Sequence, residues 1–395
     1  MTATHVVNST VHPAPVLYLA LELGWKSWKL AFTVGLGQKP RIRSIAARNL
    51  ECLNEEILAA KKRFGLSDSV QVVSCYEAGR DGFWLDRYLD DAGIRNIIVD
   101  SSSIEVNRRK RRAKSDRLDA AKLVNMLVRW HLGEHKIWCI VAVPDVKEED
   151  GRQLHRELIQ LKSERTAHTN RIKGLLAGLG LSVTVDAKLS ARLESLRQWD
   201  DQGIPEALKT RILREFGRWR LLDQQIGEID KQRGEELRRD DVPEAEKVRN
   251  LMELKGVGIN GAWILVKEFF GWRVFRNRRE LGSLAGLTPT PYNSGDYRCE
   301  QGISKAGNKR IRWVMIELAW CWLRFQPESE LSLWYQRRFG RGNSRLRRIG
   351  IVALARKLLI AFWKYLEKGE VPEGAEMVEV TAKVKRLPRQ ARRVS

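Results

Sequence analysis

Four acidic residues stand where they could do phosphodiester chemistry. Glu22 closes the apolar run Val16–Leu23, and Glu77 follows Val70–Ser74 in Tyr76-Glu77-Ala78-Gly79. Asp116 and Asp119 stand three apart in Lys114-Ser115-Asp116-Arg117-Leu118-Asp119-Ala120. That spacing puts both aspartates on one face of a helix that Ser115 can cap. Two like charges so placed destabilise a helix unless a cation binds between them, and an acid inside an apolar strand is costly to bury unpaired. Four carboxylates drawn from two strands and one helix could hold two Mg²⁺ ions. A competing reading pairs Asp116 and Asp119 with the basic run before them and Glu77 with a turn; residue types leave both open.

That basic run is Arg108-Arg109-Lys110-Arg111-Arg112-Ala113-Lys114, with six cations in seven residues. A solvated loop or a targeting signal would look the same, but a position beside the acids favours delivery of a phosphate backbone to them. Gly256-Val257-Gly258-Ile259-Asn260-Gly261 formally matches G-x-G-x-x-G. It lacks the preceding apolar strand and the later acid of a dinucleotide site. A turn through Gly256 and Gly258 between two helices instead resembles a helix-hairpin-helix element, with backbone N–H groups facing phosphate. An ordinary turn between helices fits equally.

Further on, Pro289-Thr290-Pro291-Tyr292-Asn293-Ser294-Gly295 reads as a loop. It is followed by Gly302-Ile303-Ser304-Lys305-Ala306-Gly307-Asn308-Lys309-Arg310, where Lys305, Asn308, Lys309 and Arg310 could bind phosphate. The six histidines all lie at or before position 168, so Ser294 has no local partner for a hydrolase triad and by itself reads as a turn residue. His131-Leu132-Gly133-Glu134-His135 matches H-x-x-E-H on paper, but Gly133 weakens the helix it would need.

The elements that must position these groups follow from composition and periodicity. The 395 residues carry 71 Lys+Arg against 49 Asp+Glu, a net charge of +22, which a polyanion such as nucleic acid would offset. With 43% hydrophobic residues and 14 Trp, the chain can bury a core, which excludes disordered, collagenous and disulfide-scaffold classes. No apolar run is long enough for a membrane span and no secretory leader is visible, so a cytoplasmic, nucleoid-associated protein is expected. Five cysteines without a C-x-x-C pair give no structural zinc site.

Residues 1–147 read as α/β, with strands at Val16–Leu23, Lys29–Val34, Arg41–Ala46, Val70–Ser74 and Ile97–Val99. Helices are expected over Leu50–Phe64 and Phe83–Ala92. Three strands followed by alternating strands and helices is the order an RNase H-like domain uses. Residues 148–245 carry a heptad seam, Leu154, Leu158, Leu161, Arg165, His168, Ile172, Leu175 and Leu179, and a second stretch through Ile212, Phe216, Trp219, Leu222, Ile226 and Ile229. They read as a coiled-coil linker or oligomerisation region whose helices pair within one chain or between chains. Residues 246–370 read as a mostly α domain, with helix over Leu331–Tyr365, and 371–395 as a disordered basic tail.

Taken together and in this order, Tyr76-Glu77-Ala78-Gly79, the Asp116/Asp119 segment, Arg171-Ile172-Lys173, Gly256-Val257-Gly258, Leu284-Ala285-Gly286-Leu287-Thr288-Pro289, Ser294-Gly295 and Gly302–Asn308 resemble the DEDD transposases of insertion sequences. The resemblance spans about residues 16–326. It implies a RuvC-like (RNase H-like) nuclease domain in which Glu22, Glu77, Asp116 and Asp119 bind Mg²⁺. The family usually has Asp in the first strand, where this chain has Glu22. The resemblance further implies a serine nucleophile mapping onto Ser294, DNA as substrate, and a structured guide RNA from the element itself. It also implies a dimeric or tetrameric assembly in a bacterium or archaeon. A hydrolytic nuclease such as a junction resolvase, and a non-catalytic DNA-binding protein, are the competing functions.

Overall fold

A computed structural model describes residues 14–104, 116–294 and 297–380. The chain divides into two compact units, with the boundary in the sequence between Pro144 and Asp145.

The first unit is built on a five-stranded mixed sheet. Its elements are β1 (Val16–Leu23), β2 (Ser27–Thr33), β3 (Arg41–Ala46), α1 (Leu50–Arg63), β4 (Gln71–Glu77), α2 (Trp84–Asp91), β5 (Arg95–Val99) and α3 (Asp116–His131). The strand order is β3-β2-β1-β4-β5. β1–β2 and β2–β3 pair antiparallel, whereas β1–β4 and β4–β5 pair parallel. β1 is central, and Leu17 to Leu21 are buried on both faces, which is why it reads as a continuous apolar run. Leu17, Leu19, Leu21, Trp28, Leu30 and Phe32 pack on one side with Leu53, Ile57, Leu85 and Leu89 of α1 and α2. Tyr18, Ala20, Ala31, Val73 and Cys75 pack on the other with Ala120, Leu123, Val124 and Leu127 of α3. β4 runs three residues beyond its expected end, so Glu77 is its last residue rather than part of a following loop.

The second unit opens with α4 (Val146–Asp150), started by a reciprocal Asp145/Glu148 capping box. Two long helices follow, α5 (Gln153–Ala177) and α7 (Glu206–Glu236), with the short α6 (Leu189–Ser195) between them. α5 and α7 pack side by side within the one chain. Leu158 and Leu161 meet Leu222, Ile226 and Ile229, and Ile172 and Leu176 meet Ile212, Phe216 and Trp219, so the pair is antiparallel. The two polar positions of the seam are partnered across it: Arg165 bonds Asp223, and His168 Nδ1 lies 2.6 Å from Glu215 Oε2.

The remaining elements are α8 (Pro243–Glu253), α9 (Ile259–Leu265), α10 (Arg278–Leu284), β6 (Pro289–Ser294), β7 (Tyr297–Ile303), α11 (Lys309–Phe325), α12 (Glu330–Tyr335) and α13 (Ser344–Lys368). One core holds these helices together, with Trp263, Phe269, Phe270, Met315, Trp322 and Phe362 among its largest members. The helix expected over Leu331–Tyr365 is broken by a π-turn at Gln336–Gly340, and Asn343 restarts it by accepting from Leu346 N.

The segment around Ser294 is not a loop: Pro289–Ser294 pairs antiparallel with Tyr297–Ile303, so the mostly helical region contains a β-hairpin. Nor is all of 371–395 a disordered tail. Pro372 and Val380 are buried, Val378 N donates to Glu253 O, Glu376 N donates to Gln326 Oε1, and Leu254 bridges Met377. Apolar side chains and ready backbone partners outweigh composition over 371–380; residues 381–395 lie outside the described residues.

Candidate nucleic-acid and metal site

The register of the sheet brings two of the predicted acids together. Leu21 pairs with Tyr76 in the parallel β1–β4 ladder, so the next step along both strands sets Glu22 beside Glu77. Side chains alternate along a strand, and both acids fall on the face that carries α3. On α3, Ala120, Leu123, Val124 and Leu127 meet the sheet. Asp116 and Asp119 continue that stripe one turn toward the helix start. Glu22 and Asp119 are half-buried, and Glu77 and Asp116 are exposed.

The ends of β1 and β4 are also where the sheet order changes direction, since β2 and β3 extend to one side of β1 and β4 and β5 to the other. Crevices for ligands form at such switch points, outside the carboxyl ends of parallel strands. Four hard oxygen donors fit a divalent cation in chemistry. In placement, Glu22 and Glu77 share one sheet face at the ends of adjacent strands, and Asp116 and Asp119 lie in the first turn of the helix packed on that face. Among the described residues, no three His, Cys, Asp or Glu side chains stand close enough to hold a metal ion. Arg108, Arg109, Lys110, Arg111, Arg112 and Lys114, which precede α3, lie outside the described residues.

The H-x-x-E-H match is engaged elsewhere. His131 ends α3 and its Nδ1 stands 2.7 Å from the Tyr18 hydroxyl, while Arg129 grips Glu134 through two bonds of 2.8 and 2.5 Å.

In the second unit, Gly256 lies between α8 and α9 with φ +90°, and a Cβ there would stand 3.1 Å from Phe325 Cβ. Close packing against α11 therefore accounts for this glycine. Gly258 is exposed and precedes α9, a helix of seven residues. Ser294 is the last residue of β6, opposite Tyr297.

Two glycine-bearing segments on either side of this hairpin are fastened backbone to backbone. Asn308 N donates to Leu284 O at 2.7 Å, Ser304 N to Thr288 O at 2.9 Å, and Lys305 N to Gly286 O at 3.3 Å. A Cβ on Gly286 would stand 2.0 Å from Ala306 O, and one on Gly307 would stand 2.2 Å from Leu284 O. Lys305 and Lys309 are exposed beside this lock. Asn308 caps α11 by accepting from Arg310 N and Ile311 N, so its side chain has a structural duty.

Glu268, which the sequence reading missed, organises the neighbouring elements. It lies in the π-turn Val266–Phe270 after α9 and is 1% exposed. His155 Nε2 bonds its Oε1 at 2.9 Å, and Arg156 donates to both oxygens at 2.8 and 3.0 Å. Asn308 Nδ2 donates to Oε2 at 3.3 Å, and Arg310 Nε stands 3.9 Å away. Burial pushes the Glu268 carboxyl up, but the hydrogen bonds from His155 and Arg156 outweigh it and hold the group well below the usual carboxylate range. Burial lowers His155 from its ordinary value, against the opposing pull of the Glu268 carboxylate. An acid inside the apolar run Ile264-Leu265-Val266-Lys267-Glu268-Phe269-Phe270 was the available signal, the same one that marked Glu22.

A sequence profile of the IS116/IS110/IS902 transposase family matches residues 248–333, which contain Gly256, Glu268, Ser294 and Asn308. The chain is also 39% identical over 374 residues to a putative transposase, y4rJ, of Sinorhizobium fredii, covering 91% of this chain and 94% of that one. The chain belongs to the IS116/IS110/IS902 transposase family. More distant relatives include the transposase for insertion sequence element IS1328 of Yersinia enterocolitica, 26% identical over 55% of this chain and 63% of its own. Another is the transposase for IS1111A of Coxiella burnetii, 28% identical over 65% of this chain and 68% of its own. Among the described residues of this transposase, no helix is long and apolar enough to cross a membrane.

Proposed function

We propose that this transposase moves the DNA of an insertion sequence by cutting and rejoining strands through an RNase H-like, RuvC-like unit and the serine of its second unit. The observation that carries the reading is the register that sets Glu22 beside Glu77 on the face bearing α3, whose first turn holds Asp116 and Asp119. The strand order β3-β2-β1-β4-β5, with antiparallel pairing on one side of β1 and parallel on the other, supports it.

In this reading Glu22, Glu77, Asp116 and Asp119 hold Mg²⁺, which would stabilise negative charge developing on a phosphodiester. Glu22 reaches one methylene further than the family's usual Asp. Ser294 supplies the attacking hydroxyl. Its Oγ–phosphorus bond forms as the bond to the leaving strand oxygen breaks, and the serine proton is given up while the leaving oxygen gains one. A hydroxyl of the joining strand then displaces Ser294 from phosphorus. The exposed cations Lys305 and Lys309, and the run 108–114, hold backbone phosphates. Guidance by a structured RNA and assembly into a dimer or tetramer belong to the same proposal and rest on family resemblance.

The test uses full-length protein, Mg²⁺ and DNA carrying the element's ends. Wild type gives a protein–DNA adduct that survives denaturation and maps to Ser294, and Ser294→Ala gives neither adduct nor recombinant. Asp116→Asn and Asp119→Asn still bind DNA but do not cut it. Recombination by Ser294→Ala would replace the serine route with metal-dependent hydrolysis, and full activity of both aspartate variants would remove the carboxylate site.

A further inference from the structure

We infer that Trp25, Arg48 and Arg80 form a clamp for a DNA phosphodiester at the carboxyl edge of the first unit's sheet. The inference deepens the proposed function and rests on it for the role of the neighbouring acids. Trp25 and Arg80 follow β1 and β4, at the strand ends where the sheet order changes direction. Trp25 follows Glu22 by three residues, Arg80 follows Glu77 by three, and Arg48 follows the end of β3, which runs parallel to β1.

Local chemistry explains how they meet. The β1–β2 turn is tight: a Cβ on Gly24 would stand 2.4 Å from Ser27 O, so the chain doubles back at once and carries Trp25 at its tip. Ala47 N donates to Lys26 O at 3.0 Å, tying the β3–α1 connection to that tip. Arg48 then takes the left-handed conformation, φ +66°, which a non-glycine residue adopts at a cost. Its guanidinium lies 4.9 Å from the Trp25 ring centre, and that of Arg80 lies 4.7 Å away. Asp81, its side chain only 6% exposed, bonds Arg48 Nη2 at 3.0 Å and stands 3.8 Å from Arg80 Nη2.

The arrangement holds two planar cations against an indole that remains 62% exposed, with one carboxylate between them. Two positive charges against one leave a surplus of one. Each guanidinium brings five N–H donors, and Asp81 engages few of them. The side chains of Arg48 and Arg80 are 44% and 57% exposed, so both guanidinium groups are open to a ligand from solvent. A rigid fork of donors with surplus charge is the match for a phosphate oxygen pair. Strand ends carrying Glu22 and Glu77 lie three residues away in sequence, so a phosphate held here leads its strand toward those acids.

The experiment measures the salt dependence of binding of a labelled oligo-dT to full-length protein by fluorescence anisotropy. Arg80→Gln lowers affinity severalfold and reduces the slope of log K against log salt by about 0.7, the loss of one single-strand phosphate contact. Arg80→Lys keeps the slope, and Arg48→Asn, which tolerates the positive φ, reduces it as Arg80→Gln does. A thermal midpoint unchanged in Arg80→Gln excludes unfolding as the cause. Unchanged slope and affinity in both Arg80→Gln and Arg48→Asn overturn the clamp. A slope change with oligo-U but none with oligo-dT overturns the assignment to DNA. Clamp variants that lose the slope beside Asp116→Asn and Asp119→Asn proteins that both cut at full activity would sink the carboxylate reading and leave the clamp standing. The reverse pattern sinks the clamp alone.

Discussion

Asn308 Nδ2 donates to Glu268 Oε2 at 3.3 Å while Asn308 Oδ1 accepts from the N–H groups of Arg310 and Ile311 at the start of α11. One amide thus joins a helix start to a buried carboxylate that also holds His155 and Arg156 of α5. Through it the long helical pair and the segment after the β6–β7 hairpin share one anchor.

Glu268→Gln keeps the shape of that anchor and removes its charge. Breaking a buried ion pair from one side costs about 3 kcal/mol. The variant should unfold at clearly lower denaturant concentration than wild type. The pH dependence follows from two depressed groups. Glu268, held below its unfolded value of about 4.3, contributes stability above that pH that is lost as pH falls through and below it. His155, lowered by burial from its usual value of about 6.5, resists a proton that the unfolded chain accepts below that pH. Both effects weaken the fold on acidification. The gap between wild type and Glu268→Gln should be full at pH 7 and narrow below about pH 4; a gap independent of pH in thermal melts would contradict the ionised anchor.

Gly307→Ala tests the backbone lock. The new Cβ would meet Leu284 O at 2.2 Å in a residue with φ +84°, so neither the contact nor the conformation is tolerated. A loss of about 2 kcal/mol or more is expected. Gly302→Ala is the control: it has a similar φ of +89° with open space around it, and should cost about 1 kcal/mol from conformation alone. Equal losses for the two in chemical denaturation would show that the close approach does not matter.

Glu22→Asp separates reach from charge. If Glu22 is a metal ligand, the shorter acid keeps part of the Mg²⁺-dependent strand cutting and Glu22→Gln keeps none. Equal activity of the two variants in a cleavage assay would take Glu22 out of the ligand set.

Much of the first unit was legible because its pattern is local. Val16–Leu23 and Arg41–Ala46 are strands at the residues expected, and α1 ends one residue early. β4 extends past Ser74 because the sheet buries Cys75 and Tyr76 as well, which the apolar run Val70–Ser74 does not by itself announce. The polar seam positions Arg165 and His168 were visible, but their partners Asp223 and Glu215 are more than forty residues away and only folding brings them together. The Glu268 network was harder still. It draws on α5, a π-turn and a helix cap, and no periodicity announces a π-turn. The β6–β7 hairpin was masked by two prolines, Pro289 and Pro291, which read as loop although edge strands admit them.

The central place of β1 has a consequence for synthesis. Of the described strands β1 leaves the ribosome first and gains β2 at once through the Gly24 turn, but its other edge waits for β4, after β3 and α1 have been made. Until then a fully apolar strand, Leu17 to Leu21, presents an open row of N–H and C=O groups. Such an edge is a template for pairing with a second nascent chain. The interval between β2 and β4 is therefore the period in which a chaperone would have most to protect. Slowing translation there should raise aggregation, because it prolongs the exposure of that edge.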